Sequence, residues 1–317
     1  MRPLQIIPAN TKIDFVGKRR FAYLFSLVLV VGSLIVFAVQ GLNFGIDFRG
    51  GTLIEIKTAG PADIGALRSN IGALGLGEVQ VQTFGEPDDV LIRIQRQEGS
   101  EAEQIKATDL VKTALGDTAT EYRRIEFVGP TVGDELIASA IWAISLALGA
   151  ILVYVWFRFE WQFGVGAIIA LTHDVIATIG LFAVTQLEFN LATVAAVLTI
   201  AGYSINDTVV IYDRVREELR RYKKLGLPEL LNIAVNGTLS RTFMTSFTTL
   251  LALFALVTLG GPIIRDFSLA MIWGIVVGTY SSVFIAVPVL LLLNFNRETL
   301  AGSDSDAEAT ATDKQGA

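Results

Sequence analysis

The chain contains no cysteine and only one histidine, His173, and these shortages limit the chemistry it can carry. Without cysteine there is neither a disulfide framework nor a thiolate-ligated metal site. Only 18% of its 317 residues are charged, against roughly 25% in a typical soluble domain. The net charge of −6 argues against a nucleic-acid partner. The low fraction of charged residues is therefore untypical of a soluble protein, and the negative net charge is untypical of a nucleic-acid-binding one.

The chain contains several long apolar segments. Hydrophobic residues make up 52% of it, and its mean hydropathy is +0.55. A membrane-spanning helix needs about 20 mainly apolar residues. The first such segment is too long for a signal-peptide core and no small-residue cleavage site follows it, so we expect it to be retained. The sequence predicts a polytopic α-helical membrane protein with six spans, at residues 21–40, 136–157, 163–185, 191–211, 243–259 and 269–293.

The distribution of Lys and Arg predicts the orientation of these spans. Five basic residues precede the first span and seven lie in residues 212–241, whereas residues 186–190 contain none. Cytoplasmic loops are enriched in Lys and Arg, so both termini are expected in the cytoplasm. Residues 1–20 then form a cytoplasmic arm, and residues 297–317 a disordered cytoplasmic tail.

Residues 41–134 form a polar region that this topology places outside the membrane, on the extracytoplasmic side. Pro61 is expected to begin its first helix and Ser100 to cap its second. The order of elements is βαββαβ, which predicts an α+β ferredoxin-like domain. Strand patterns occupy residues 51–58, 78–84, 89–95 and 120–129, with helix patterns at 61–75 and 100–115.

Residues 212–240 form the longest predicted cytoplasmic connection. The fourth span is expected to continue into solvent as a helix as far as Lys224 and to end at Gly226. Pro228 then opens a separate short helix, which we expect to lie at the membrane surface. We interpret this connection as a hinge with an interfacial anchor.

The stretch GYSINDTVVIYDRVRE, residues 202–217, places Asp207 in an otherwise apolar span. A carboxylate there is costly unless something pairs with it or protonates it. Asn206 and Asp207 lie three and four residues after Tyr203, so the three side chains share one helical face. Asp207 is therefore a candidate proton carrier with a supporting polar face. The alternative is a protonated carboxyl group that only helps helices to pack.

Arg241 begins the fifth span at the cytoplasmic end, toward which Asp207 also lies, and Thr245 and Thr248 continue its helical face. A cation beside a titratable carboxylate on a neighbouring helix forms a site that can exchange a proton while it changes partner. We expect Asp207 and Arg241 to form such a relay. The alternative for Arg241 is a topology signal or a snorkelling cation.

His173 and Asp174 introduce a second polar point, in the middle of the third span. Imidazole titrates near neutral pH, so the pair is a candidate accessory part of the relay. The alternative is an interhelical hydrogen bond that fixes packing.

The motif GIDFRGG, residues 45–51, follows the first span directly. Its Asp47 and Arg49 are candidates for contact with a partner or with a moving polypeptide. Because Gly45 on one side and Gly50 and Gly51 on the other flank the charged pair, a turn leading into a strand is the alternative.

Four patterns together resemble the SecD/SecF family, and in particular its SecF group. They are GIDFRGG after the first span, HD in the third, GYSINDTVVIYDRVRE in the fourth and SRTFMTSFTTLL, residues 240–251, in the fifth. GIDFRGG fits either SecD or SecF, whereas the pattern ND-x-VV-x-x-DR-x-RE resembles SecF. The resemblance covers all six spans and the outer domain.

This resemblance implies a proton-driven translocase subunit of the RND transporter superfamily, not an enzyme, with no catalytic residues. It implies the bacterial cytoplasmic (inner) membrane, protons as the coupling ion and no cofactor or metal. The implied partners are SecD, the SecYEG channel and the translocating polypeptide, with YajC as a further candidate. In the family, the positions of Asp207 and Arg241 form the proton-transport pair.

Three other functions fit parts of the sequence. A proton-coupled exporter of small molecules or lipids from the same superfamily would tend to have a larger outer domain and both halves in one chain. An intramembrane aspartyl protease also places two Asp residues on adjacent helices, but its GxGD signature is absent because Asp207 follows SIN. A pure assembly scaffold would need no proton path and should tolerate Asp207→Asn.

Overall fold

The computed structural model of the chain describes Pro8 and residues 11–77, 79–97, 101–128, 130–260 and 262–293. Six helical runs in these ranges are long and apolar enough to cross a membrane, which confirms the predicted number of spans. In chain order the elements are α1 (Arg19–Gln40), α2 (Ile46–Arg49), β1 (Gly51–Thr58), α3 (Ile64–Gly72), β2 (Val79–Phe84), β3 (Glu86–Ile94), α4 (Glu101–Leu115), a 3₁₀ turn (Gly116–Thr118), β4 (Ala119–Val128), α5 (Pro130–Arg158), α6 (Trp161–Thr185), α7 (Leu191–Arg221), α8 (Leu227–Leu259), α9 (Pro262–Ser281), a π-helical turn (Ser282–Ala286) and α10 (Val287–Leu292).

The centre of the membrane bundle is formed by α6, α7 and the run from α9 to α10. About half or more of the apolar part of each is buried, whereas only 6% of that of α5 is covered. Two glycines allow α9 to approach α7 closely, since a side chain at Gly274 would collide with Ile200 and one at Gly278 would press on Ser204. The two glycines therefore pack α9 tightly against α7.

The outer domain, β1 to β4 with α3 and α4, has the predicted βαββαβ order of elements. Its four strands form one antiparallel sheet in the order β2-β3-β1-β4. Alternate residues of the two central strands, such as Ile54 opposite Ile92 and Ile56 opposite Val90, point into the core that α3 and α4 cover. The alternation of residues along each strand therefore correctly predicted which side chains of this sheet face the core.

Two boundaries in the outer domain differ from the prediction. The first helix begins at Ile64 and not at Pro61, because the Asp63 carboxylate accepts a hydrogen bond of 2.9 Å from Ala66 N and caps the helix there. The turn before β3 is shorter than predicted, because Gly85 with φ +88° reverses the chain and Glu86 already pairs with Phe84. The predicted cap Ser100 lies outside the described residues.

The separate surface helix predicted after Gly226 is wrong, because α8 runs without interruption to Leu259. Pro228 lies in the first turn of α8, where its missing N–H disrupts no helical hydrogen bond. Leu230 and Leu231 are fully buried in the core that α7 and α8 share at this end. The connection is therefore a helical hairpin and not a hinge with a surface anchor.

The segment before α1 packs onto this hairpin. The N–H groups of Phe15 and Val16 donate to the Asn232 side-chain oxygen at 2.9 and 3.0 Å. Hydrogen bonds from the N–H of Gly17 and the Asn232 amide hold the pKa of Asp14 below its usual value. The segment and the hairpin therefore form one packed unit at this end of the bundle.

The last two glycines of GIDFRGG end α2 and start β1, so the motif forms the turn into a strand. Gly50 has φ +69° and Gly51 has φ +117°, both in the left-handed region that favours glycine. A side chain at Gly51 would also collide with the Ile94 carbonyl oxygen of the neighbouring strand. Both the backbone conformation and the space require glycine at Gly51.

We predict that the outer domain folds on its own. Residues 45–130 expressed alone should be soluble and unfold cooperatively, because helices α3 and α4 and the sheet share a core that needs no membrane helix. Circular dichroism should show mixed helix and strand. A molten or wholly helical product would contradict the prediction.

We also predict that Gly51→Ala destabilises this domain. The strained backbone should lower the free energy of unfolding by about 1–3 kcal/mol. Gly60→Ala is the matched control, because Gly60 has neither a positive φ nor an atom within 4 Å of the added carbon. Urea unfolding of the two variants provides the comparison, and equal stabilities would mean that Gly51 is not strained.

Candidate intramembrane polar site

Helix α7 carries several of the buried polar groups of the bundle, and its start is fixed by a capping box. The Asn190 side chain accepts a hydrogen bond from Thr193 N at 3.1 Å, and the Thr193 hydroxyl accepts one from Asn190 N. From Leu191 the helix runs without a break past Asp207. Asp207 lies about 24 Å along the axis from that start, at 1.5 Å per residue.

Asp207 is 3% exposed, and its Oδ2 has no hydrogen-bond partner among the described residues. Arg241, on α8, acts on this carboxylate electrostatically, although the two side chains do not form an ion pair. Two further buried hydroxyls on these helices, those of Tyr203 and Thr242, also lack a partner in the described part of the chain. Unsatisfied groups of this kind are rare in a protein interior and call for an explanation.

The other predicted members of the polar face contribute less to Asp207. Asn206 is exposed on the surface of α7. The hydroxyls of Thr245 and Thr248 donate to backbone carbonyls of their own helix, those of Thr242 and Met244, both at 2.9 Å. The structure therefore brings Tyr203 and Arg241 toward Asp207 but gives Thr245 and Thr248 local partners.

Asp174 is the centre of a second cluster, in which both of its carboxylate oxygens have hydrogen-bond partners. It is completely buried, and its Oδ2 accepts hydrogen bonds from the hydroxyls of Ser204 on α7 at 2.5 Å and Ser281 on α9 at 2.7 Å. Its Oδ1 lies 2.9 Å from Nδ1 of His173. Asp174 thus links α6 to both of its central neighbours.

A row of hydroxyls continues from this cluster along α7. Thr208 and Ser282 are hydrogen-bonded at 2.9 Å, and the Tyr212 hydroxyl donates to the Ala286 carbonyl at 3.0 Å. Their partners belong to the π-helical turn, a feature frequently found at functional sites. The sequence reading missed these groups, although Ser204, Thr208 and Tyr212 recur every four residues and so share one face of α7.

The two clusters occupy adjacent faces of α7, since Ser204 and Asp207 are three residues apart. No hydrogen bond among the described residues joins Asp174 to Asp207. No group of three or more His, Asp or Glu side chains in the described ranges is arranged to hold a metal ion. The bundle therefore contains two buried carboxylates in different surroundings, Asp174 with partners at both oxygens and Asp207 with one unpartnered oxygen.

The GIDFRGG residues lie at the start of α7, away from Asp207 in the middle of that helix. Asp47 Oδ2 accepts a hydrogen bond of 2.9 Å from Leu191 N, and Arg49 is exposed at the end of α2. Asp47 is thus part of the outer end of the bundle and not of the cluster around Asp207.

The hydrogen bonds of Asp174 generate a prediction about stability. Asp174→Ala should lower the stability of the bundle by about 1–3 kcal/mol, because it leaves buried hydroxyls without an acceptor. Asp174→Asn should stay close to the parent, since its oxygen can accept from Ser204 and Ser281 while its amide donates to His173. Thermal unfolding in detergent measures both. Equal losses for the two variants would show that the hydrogen bonds depend on the ionised carboxylate.

Comparisons with known proteins place this arrangement in a family. Residues 108–296 match the model described as "Protein export membrane protein SecD/SecF, C-terminal", and residues 35–62 match the "SecD/SecF GG Motif". The chain is 46% identical over 295 residues to protein translocase subunit SecF of Rickettsia bellii, covering 92% of this chain and 96% of the relative. It is 45% identical over 306 residues to the corresponding subunit of Rickettsia rickettsii, covering 94% and 98%.

Two solved structures of SecDF are also similar to this chain. The crystal structure of SecDF from Thermus thermophilus, titled a translocon-associated membrane protein, is 35% identical and superposes with a TM-score of 0.81 over 92% of this chain. SecDF in a super-membrane-facing form is 36% identical, with a TM-score of 0.68 over 94% of this chain. The chain spans only 40% and 41% of those SecDF chains. It belongs to the SecD/SecF family of protein-export membrane proteins, as a multi-pass membrane protein of the Sec pathway.

Proposed function

We propose that this chain is the SecF-type half of a SecD–SecF assembly, and that it uses the proton-motive force to promote polypeptide movement through SecYEG. The observation that carries the proposal is the state of Asp207, a buried carboxylate with an unpartnered oxygen and a cation on the next helix. An intramembrane ionisable group is a functional candidate by default. Protons are the coupling ion in this proposal, and no cofactor takes part.

The proposed cycle alternates between two states of Asp207. When ionised, the carboxylate attracts the Arg241 guanidinium, and this attraction is strong where water is excluded. When protonated it is neutral, so Arg241 is released and α7 and α8 can shift relative to each other. The proton enters from the extracytoplasmic side and leaves toward the cytoplasm, and each passage changes the contact between the two helices.

The energy of one proton sets a limit on this cycle. One charge crossing 100 mV supplies about 2.3 kcal/mol. Shifting a two-state element from 1:99 to 99:1 needs about 5.5 kcal/mol. A complete switch at that voltage therefore needs a second proton or a less biased resting state. Asp174, with His173 beside it, is the second carrier that we propose.

A partially uncovered polar stripe supports SecD as the membrane partner. Thr199, Gly202 and Asn206 on α7 and Arg241 and Thr248 on α8 are exposed on the surface of the bundle. Small and polar residues at membrane depth favour close contact with another helix, because lipid offers them no hydrogen bonds. We propose that a helix of SecD covers this stripe and completes the surroundings of Asp207.

The orientation we propose puts the α7–α8 hairpin and both termini in the cytoplasm of a bacterium, in its inner membrane. The basic residues near the hairpin tip, Arg220, Arg221, Lys223 and Lys224, support it. The outer domain then lies on the extracytoplasmic side, where a translocating polypeptide emerges. SecYEG, that polypeptide and YajC stay predictions from the family.

An aspartyl protease is not favoured by the geometry. Such an enzyme needs two carboxylates that share a proton. Asp174 directs its oxygens to Ser204, Ser281 and His173, and it forms no hydrogen bond with Asp207.

We predict that Asp207→Asn abolishes proton-driven stimulation of export while the chain stays inserted and bound to SecD. Asn keeps the size and hydrogen bonding of the side chain but cannot ionise. Arg241→Met should have the same effect, because it removes the cation to which Asp207 responds. Export into inverted membrane vesicles, with and without a proton gradient, measures the stimulated part.

Asp213→Asn is the matched control for this prediction. Asp213 lies on the same helix, but it forms a half-exposed ion pair of 2.8 Å with Arg158 at the bundle surface. It should keep most of the gradient-dependent export. Full stimulation in Asp207→Asn would reject the relay and favour a scaffold, whereas full stimulation in Arg241→Met alone would reduce Arg241 to a topology signal.

A further inference from the structure

The turn between α6 and α7, residues 186–190, pairs with the chain that leads from α1 to the outer domain. Gly45 N donates to the Phe189 carbonyl at 2.9 Å, and Phe189 N donates to the Asn43 carbonyl at 2.8 Å. The Asn43 amide donates to the Gln186 carbonyl at 2.9 Å. Backbone groups of two segments far apart in sequence thus hold each other directly before α7 begins.

An ion pair joins the outer domain itself to the same turn. Arg93, on β3, pairs with Glu188, and only 10% and 15% of the two side chains are exposed. Arg93 also donates to the Asn43 side-chain oxygen at 3.3 Å. Removing one member of a buried pair leaves the other charge unpaired, so this contact is costly to break. Gly45 makes room for it, since a side chain there would collide with the Glu188 carboxylate.

Asp47 fastens the motif to the first residue of α7. The N–H of Leu191 is one of the four at a helix start that have no partner inside the helix, and the Asp47 carboxylate accepts its hydrogen bond at 2.9 Å. A negative charge there also interacts favourably with the helix dipole. Asn190 already satisfies Thr193 N, so two side chains from different segments hold the start of α7.

Aromatic packing surrounds these polar contacts. The Phe189 ring lies 5.9 Å from that of Phe44, 6.0 Å from that of Phe48 and 5.6 Å from that of Phe182. The rings belong to α6, to the turn and to the segment before β1. Closely packed rings of this kind hold the three segments in a single arrangement relative to one another.

We propose that these contacts form a rigid joint that makes the outer domain move with α7. We use the name outer joint for Asn43, Phe44, Asp47, Arg93, Glu188 and Phe189. The helix fastened by the outer joint is the one that carries Asp207. A displacement of α7 caused by the Asp207 cycle is thereby passed to the outer domain, a step that rests on the function proposed above.

The first test measures rigidity without export. Because the chain has no cysteine, spin labels can be placed at Lys106 on α4 and at Thr185 at the end of α6, both exposed. In the full-length protein in liposomes, the label distance should have one narrow peak. Arg93→Glu or Glu188→Arg should broaden it, and the double reversal should restore it. Lys57→Glu is the control, because it breaks an ion pair with Asp88 inside the outer domain.

The second test measures coupling. Arg93→Glu and Asp47→Ala should each lower the gradient-dependent part of export by about fivefold or more, the range typical of coupling between sites. Asp47→Asn should keep most of it, because its amide oxygen can still accept from Leu191 N. Export without a gradient should not change in any of them.

The third test asks whether the outer joint opens during the cycle. Phe44 and Phe189 are bridge partners. Neighbouring strands lie about 4.8 Å apart, close to the span of a disulfide. In a Phe44→Cys/Phe189→Cys variant, a rigid joint predicts that gradient-dependent export is at least as high after oxidation as after reduction. A block on oxidation, reversed by reduction, would overturn the proposal.

Asp207→Asn separates failure of the outer joint from failure of the proposed function. It should keep the narrow label distance while losing gradient-dependent export. If it kept that export, the relay would fail, and the label distances would still decide whether the joint is rigid. An unchanged narrow peak in both Arg93→Glu and Glu188→Arg would overturn the joint itself.

Discussion

The cost of an unpaired polar group in an apolar bundle is the constraint on which this structure depends. Asp174 avoids this cost because hydroxyls from two neighbouring helices and an imidazole form hydrogen bonds with it. These bonds fix α6, α7 and α9 in one arrangement. Asp207 still bears part of this cost, because one of its carboxylate oxygens has no hydrogen-bond donor and Arg241 does not form an ion pair with it. Two neighbouring helices thus carry a satisfied carboxylate that fixes packing, Asp174 on α6, and a partly unsatisfied carboxylate, Asp207 on α7, which we propose responds to a proton.

Helix α7 connects all the parts of the molecule that a transport cycle would use. Its start is held by Asn190 and Asp47, its middle carries Asp207, and its far end packs against α8 and the segment before α1. Gly274 and Gly278 bring α9 close enough for the Asp174 cluster to form. A rigid helix that is held at several depths moves as one unit and transmits a displacement along its length. A helix with a hinge would absorb that displacement.

The incomplete cover of the bundle has a physical meaning in this family. A compact monomer would bury polar residues such as Asn206 and Thr199, yet both lie on the outside of α7. The similar SecDF chains are more than twice as long as this one, so they contain further chain that has no counterpart here. We interpret the unsatisfied state of Asp207 as the property of a half-site that a partner completes.

The sequence by itself determined the six spans, the order of elements in the outer domain and the position of Asp207 in an apolar helix, because hydropathy and periodicity are local properties. It did not reveal that Asp63 rather than Pro61 starts α3, or that α8 continues through Pro228, because caps and packing partners decide such boundaries. Only the tertiary structure paired Asp174 with Ser281 and Arg93 with Glu188. Those residues are about a hundred positions apart, and no local pattern specifies which helices and loops become neighbours.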